Sequence, residues 1–273
     1  MVHKFLMRTV VSIVLAILVY FVIYVFPEWI FCGVVSLFIG LGLADFFKMV
    51  ENREIFVYKY FGTVVGVLLP IVIMLGYYYP QTRNLEPLLA ALASFFVLTL
   101  QFMRRDNARD HLISTALTIF ALFYVSWFFS FFVKIRMLEN GSNLVAFVII
   151  VTKSADIGAY LVGSLVGKNE LIPRISPKKT REGTIGGIII SVILSVWLGR
   201  MLTGFSVGNL IFVGALLAIL GQVGDLAESL IKRDCNVKDS GAYLGGIGGV
   251  LDLIDSLIFT VPIFYFYVKI FLR

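Results

Sequence analysis

Carboxylates are scarce in this chain, and the informative ones stand among apolar residues. Residues 221–233 read Gly-Gln-Val-Gly-Asp-Leu-Ala-Glu-Ser-Leu-Ile-Lys-Arg. Asp225, Glu228, Ser229 and Lys232 fall at i, i+3, i+4 and i+7, which on a helix makes one polar stripe. Such a stripe must face water, ions or a partner; a helix that has emerged into solvent by Glu228 is the simpler account. Asp225 resists that account because it ends an apolar run and is flanked by Gly221 and Gly224. Residues 248–256 read Gly-Gly-Val-Leu-Asp-Leu-Ile-Asp-Ser, with Asp252 and Asp255 at i, i+3. An acid in a first turn suits the helix dipole, so capping explains Asp252; it explains Asp255, a turn deeper, less well. Two helices with carboxylates at one depth, joined by a short loop, can converge on a divalent cation. His3, His111, Cys32 and Cys235 are too scattered to join them, so an oxygen-only site for Mg²⁺ or Mn²⁺ is expected rather than a zinc cage.

The neighbouring residues suit phosphates. Lys168, Arg174, Lys178, Lys179 and Arg181 stand against Glu170 and Glu182 in one loop. A second loop, residues 234–249, holds Lys238 and five glycines within nine residues. Glycine-rich backbone and a following helix N-terminus can turn N–H groups toward an anion, although a flexible connector would look the same. Lys153, Asp156 and Tyr160 lie near one face of an apolar run. An ionisable group at bilayer depth costs at least ~2.5–3.5 kcal/mol and usually has a role; a plain Lys153–Asp156 pair joining helices accounts for them equally well. Gly163 to Lys168 is one residue short of a P-loop, and Asn169 stands where Ser or Thr is required. No GxGxxG precedes a helix.

These groups need elements to hold them, and the composition says which kind. Of the 273 residues, 59% are hydrophobic and 15% charged, far from the roughly 45–50% and 25% of soluble chains. An all-α integral membrane protein is expected, and a soluble enzyme is excluded. Nine apolar runs are long enough to span, near residues 8–26, 29–47, 55–78, 86–103, 112–133, 144–167, 184–203, 207–229 and 250–270. The first reads as a retained anchor, since its uncharged run lacks a small-residue cleavage site. Sorting the 23 Lys and Arg onto alternate sides puts sixteen on one side, which the positive-inside rule makes cytoplasmic. The N-terminus is then inside and the site faces the cytoplasm of an inner or cell membrane. The net charge of +6 is thereby an orientation signal and an attraction to anionic lipid, with no call for nucleic acid. Residues 1–143 read as an N-terminal region of about five helices. Residues 144–273, where polar residues enter the helices, read as the catalytic region with two cytoplasmic loops.

Two blocks carry a resemblance. Ser229-Leu-Ile-Lys232-Arg233, then Lys238-Asp239-Ser240-Gly241, Leu244-Gly245, Gly248-Gly249, Leu251-Asp252 and Ile254-Asp255-Ser256 resemble the signature of phosphatidate cytidylyltransferases. Asp156 to Tyr160, Gly163, Gly167-Lys168, Ser176-Pro177-Lys178-Lys179-Thr180, Glu182-Gly183 and Gly186-Gly187 resemble that family's other shared block. Together they cover roughly residues 150–260. The resemblance implies a multi-span enzyme that joins CTP to phosphatidic acid, or a related lipid phosphate, giving CDP-diacylglycerol and pyrophosphate with Mg²⁺. It leaves room for a second cation and for a homodimer. It marks Asp225, Asp252 and Asp255 as metal-site acids, and these with Lys232 and Lys238 as the catalytic set. Expected substrate-binding positions are Asp156, Tyr160, Lys168, Ser176, Lys178, Lys179, Thr180, Glu182, Ser229, Arg233, Asp239, Gly248 and Gly249. Ile247 stands where the family usually has His, and Leu253 where it usually has Arg, which removes a polar loop contact and a bidentate phosphate donor. The alternatives are a CTP-dependent polyprenol or dolichol kinase, an ion-coupled transporter using Lys153, Asp156 and Asp225, and a weakened paralogue.

Overall fold

A computed structural model describes residues 14, 16–103, 110–241 and 248–272. Among them, eight helical segments are long and apolar enough to cross a membrane. They are α2 (Glu28–Glu51), α3 (Lys59–Tyr78), α4 (Leu85–Gln101) with the tight turn Pro80–Thr82 before it, the composite His111–Arg136, α7 (Gly141–Val166), α8 (Arg181–Leu202), α9 (Val207–Asp234) and α10 (Val250–Phe271). The composite segment consists of α5 (His111–Ala121), a π-helical turn (Leu122–Trp127) and α6 (Phe128–Arg136). A further helix, α1, occupies residues 16–24. The protein is an all-α integral membrane protein. Helices are the expected solution, because lipid offers backbone N–H and C=O groups no partners and each segment must satisfy its own. Eight of the nine expected spans are found within a few residues of their expected ends. The ninth, over residues 8–26, lies partly outside the described residues, as do residues 242–247 of the glycine-rich loop.

The chain runs back and forth, and contacts between helix ends show which ends share a side. Tyr24 donates to Asn143 Oδ1 (3.0 Å), Lys134 pairs with Glu86 (2.6 Å) and Asn140 Nδ2 donates to Leu202 O (2.7 Å). On the opposite side Arg53 pairs with Asp234 (3.4 Å), joining the ends of α2 and α9. This is the alternation obtained from sorting basic residues. The interior is built from α2, α6, α7 and α10, where Ile39, Leu43, Phe131, Phe147, Leu251 and Ile258 are fully buried. α8 turns Ile185, Ile189, Ile193 and Trp197 outward, as suits a lipid-facing helix.

Apolar side chains gain little by leaving lipid for a helix interface, so close packing of small residues carries the association. The α7–α8 seam shows this. A Cβ on Gly183 would lie 2.6 Å from Ala159 O, and one on Gly187 2.6 Å from Ala155 O. Only residues without a side chain let the two backbones approach so nearly.

The basic loop between α7 and α8 is an antiparallel hairpin, β1 (Glu170–Ile172) and β2 (Ser176–Thr180), with Glu170 opposite Thr180 and Ile172 opposite Ser176. It folds over the end of α9, where Arg233 Nε donates to Ile175 O (3.2 Å). Thr180 then caps α8 by accepting from Gly183 N (3.1 Å). The hairpin is thus pinned at both ends.

Candidate active site

The strand geometry of β2 sorts its two lysines. Successive side chains point to opposite faces, so Lys178 is exposed while Lys179 turns inward, with its Nζ 2.6 Å from Asp225 Oδ2. Asp225 also accepts from Ser229 Oγ (3.3 Å), one turn along α9. A second turn brings Glu228 and Lys232, whose side chains touch as an i, i+4 pair. Glu228 is fully buried. The helix has therefore not emerged into solvent at this point, and the simpler account of the stripe is overturned. Lys232 Nζ also lies 2.6 Å from Asp252 Oδ1 on α10, so one ammonium group serves two carboxylates.

Asp252 is both a cap and an ion-pair partner. Its Oδ2 accepts from Gly249 N (2.7 Å), Ser240 N (3.0 Å) and Ser240 Oγ (2.8 Å). Gly248, at φ +113°, supplies the turn that aims these groups, a conformation L side chains rarely adopt. One turn deeper, Asp255 is buried and its Oδ1 lies 3.9 Å from Lys153 Nζ. Lys153 donates to Ser256 Oγ (2.8 Å) and Asp156 Oδ2 (3.3 Å), and Ser256 Oγ donates to Asp156 Oδ2 (2.9 Å). The Lys153–Asp156 pair thus does join helices. It does so beside Asp255, whose surrounding charges are Lys153, Asp225 and Asp156.

Hairpin, α7, α9 and α10 meet in one ionic cluster, while Lys178, Arg233, Lys238 and Asp239 are exposed. Residues 6–271 match the Cytidylyltransferase family. The chain belongs to that family. Among its relatives, the Uncharacterized protein YnbB of Escherichia coli is 41% identical over 153 residues, 56% of this chain and 51% of that one. The Phosphatidate cytidylyltransferase of Bacillus subtilis is 40% identical over 154 residues, 55% and 57% of the two chains. The Phosphatidate cytidylyltransferase of Synechocystis sp. is 31% identical over 298 residues, 97% of each. The match thus spans about half the length of the first two relatives and nearly all of the third.

In this cytidylyltransferase-family chain the expected site residues fall into two groups. Asp156, Lys179, Asp225, Ser229, Lys232, Asp252 and Asp255 belong to the cluster, and Gly248 and Gly249 shape its edge. Tyr160 is exposed on α7. Glu182 holds the turn before the hairpin, accepting from Lys168 N (3.1 Å), Asn169 N (3.2 Å) and Asn169 Nδ2 (2.6 Å). Lys168 thus enters through its backbone, and its side chain is exposed, while Ser176 and Thr180 delimit β2. Burial pushes the Cys235 thiol up, which makes it a poor nucleophile beside the cluster.

Asp45, Ser240 and Ser256 are the additions that sequence reasoning did not assign. Asp45, in the C-terminal third of α2, is fully buried, and its Oδ2 accepts from Val250 N (2.7 Å) and Leu251 N (3.2 Å). It caps α10 from another helix. A lone Asp within an apolar span was the available signal.

The donor set suits a hard divalent cation in charge and in chemistry. Five carboxylates (Asp156, Asp225, Glu228, Asp252, Asp255) face three ammonium groups (Lys153, Lys179, Lys232), which leaves two negative charges when all are ionised. Geometry distributes the acids unevenly. Among the described residues, no three His, Cys, Asp or Glu side chains are grouped as a metal cage. Asp252 has both oxygens engaged, so Asp225, Asp252 and Asp255 do not form one ligand set here; Asp225 is instead one of the charges acting on Asp255.

Proposed function

We propose that this protein joins CTP to phosphatidic acid, forming CDP-diacylglycerol and pyrophosphate at the cytoplasmic side of the membrane. The observation that carries the reading is the Lys179–Asp225 contact, which ties a basic hairpin to intramembrane acids in a chain of the Cytidylyltransferase family. That contact supports a reading in which phosphates drawn to the hairpin meet carboxylates suited to a cation. The names of the Bacillus subtilis and Synechocystis relatives support the substrate assignment.

An oxygen of the lipid phosphate attacks the α-phosphorus of CTP in line. A new P–O bond forms, the bond to the β-phosphoryl bridging oxygen breaks, and pyrophosphate leaves with the electron pair. A phosphate monoester with second pKa about 6 is mostly dianionic at neutral pH, so no strong general base is required. Two anions must instead be held together, and charge on the leaving group neutralised. Lys178, Arg233 and Lys238, which are exposed, serve the triphosphate. Lys179 exchanges Asp225 for a phosphate oxygen when nucleotide enters. Lys153 and Ser256 orient the lipid phosphate. A divalent cation, for which Mg²⁺ is the candidate, would be held by Asp225 and Asp255, and would supply charge neutralisation at the phosphates.

The test is transfer of label from α-³²P-CTP into the lipid phase by detergent-purified protein with Mg²⁺ and phosphatidic acid. A lipid kinase would transfer γ-label instead, and a transporter neither. Asp255→Ala is expected to lower transfer at least ~100-fold, the scale of losing a preorganised charge from a transition state, while extracting and folding normally. Activity within threefold of the parent would remove Asp255 from the site. EDTA is expected to stop transfer, and excess Mg²⁺ to restore it.

A further inference from the structure

A cavity of about 490 Å³ lies between α1, α2, α6, α7 and α10, within the roughly 300–1,000 Å³ of ordinary ligand sites. Val22, Val35, Phe129, Ala146 and Leu257 are among its wall residues, and Lys153 is its one charged residue among those described. In a bilayer an apolar recess by itself would hold any lipid tail. What sets this one apart is where it ends. Lys153 Nζ lies 2.8 Å from Ser256 Oγ and 3.9 Å from Asp255 Oδ1, so the recess stops at the ionic cluster.

The two bounding helices divide their residues between the cavity and the cluster, α7 along its axis and α10 between two faces. On α7 the wall residues Ala146, Ile149 and Ile150 all precede Lys153, and Asp156 follows it. On α10, Leu253, Ile254 and Leu257 line the cavity while Asp252, Asp255 and Ser256 face the cluster. From Ala146 to Lys153 the wall extends about 10 Å at the helical rise. The complementary ligand has an alkyl chain along that length and an anionic phosphate at the Lys153 end.

We propose that this cavity receives one acyl chain of the lipid phosphate and sets the chain-length preference of the enzyme. The proposal rests on the cytidylyl-transfer reading above and adds to it the place of the tail. Leu253 contributes here directly: an alkyl side chain at this position keeps the wall apolar up to Lys153.

Two measurements decide it. Wild-type full-length protein in lipid nanodiscs is irradiated with phosphatidic acid that carries a mid-chain diazirine, and the adducts are mapped by mass spectrometry. Adducts on Val35, Ala146 and Leu257, competed by unlabelled phosphatidic acid but not by phosphatidylcholine, are expected. Adducts spread over outward-facing Leu165, Ile193 and Trp197, or competed equally by both lipids, would show bulk lipid and overturn the proposal. Separately, Ala146→Phe narrows the cavity. Each methylene excluded from an apolar site lowers binding roughly fourfold, so the ratio of kcat/KM for dioleoyl over dihexanoyl phosphatidic acid is expected to fall about tenfold or more. Ile193→Phe, on the lipid-facing side of α8, leaves that ratio unchanged. An unchanged ratio in Ala146→Phe would also overturn the proposal. Crosslinking needs no turnover, so the two readings fail separately. Competed adducts in the cavity without cytidylyl transfer would sink the reaction and keep the site; transfer with scattered adducts would do the reverse.

Discussion

Asp45 and Lys232 show how much of the site depends on single groups that satisfy several others. Asp45 Oδ2 takes the first two N–H groups of α10, which no residue of α10 can do for itself. Asp45→Ala leaves both donors buried without that acceptor. A loss of roughly 1–3 kcal/mol is expected, read as a lower unfolding midpoint in detergent, with Asp45→Asn recovering most of it through the retained oxygen. Lys232 separates fully buried Glu228 from Asp252. Removing the ammonium in Lys232→Met strands two carboxylates, and destabilisation of about 3–5 kcal/mol is expected. Lys238 is exposed, so Lys238→Met is expected to change stability by less than about 0.5 kcal/mol while raising KM for CTP. Equal stability losses in the two lysine variants would mean that Lys232 has no structural part.

The elements carrying these residues are held by contacts of different kinds. α9 and α10 are cross-linked by charge at Lys232. α7 and α8 are joined by shape, through Gly183 and Gly187 against Ala159 O and Ala155 O. The hairpin is tied to α9 by Arg233 and Lys179. Each joint should fail in its own way. Gly187→Leu wedges α7 from α8, and the expected result is a large drop in monodisperse protein after extraction, since overpacked interfaces relax by moving backbone. Lys179→Gln frees the hairpin from Asp225 without touching a helix interface. Stability near that of the parent is then expected, with faster proteolysis between residues 170 and 180. Resistance equal to the parent's would show that Arg233 and the contacts at the ends of the hairpin suffice to hold it.

At the scale of the whole molecule, the helix ends sort onto two sides. Glu86, Lys134, Asn140, Asn143 and Leu202 meet on one, Arg53 and Asp234 on the other. By the positive-inside rule we propose that the second side is the cytoplasmic one. With Cys32 and Cys235 replaced by Ser, a cysteine at Lys238 is expected to react with an impermeant maleimide only from the cytoplasmic side, and one at Arg83 only from the outside. The reverse pattern would invert the molecule and place the site away from CTP.

Much of this was legible in the residues alone. The positions and alternation of the eight described spans follow from where apolar runs and basic residues fall, because the bilayer imposes both the length of a run and the side of a charge. Asp225 and Asp255 are visible for the same reason, as charged groups at depths where charge is costly. Their partners were not legible. Nothing in the spacing announces that Lys179 turns inward while Lys178 does not, that Glu228 is buried, or that Asp45, about two hundred residues before α10, caps it. The expected grouping of Asp225, Asp252 and Asp255 likewise depended on which oxygens were still uncommitted. Local composition governs whether a segment enters the membrane, since lipid tests each segment separately. Which carboxylate meets which lysine is settled by helices packing against one another, and that depends on contacts between residues far apart in the chain.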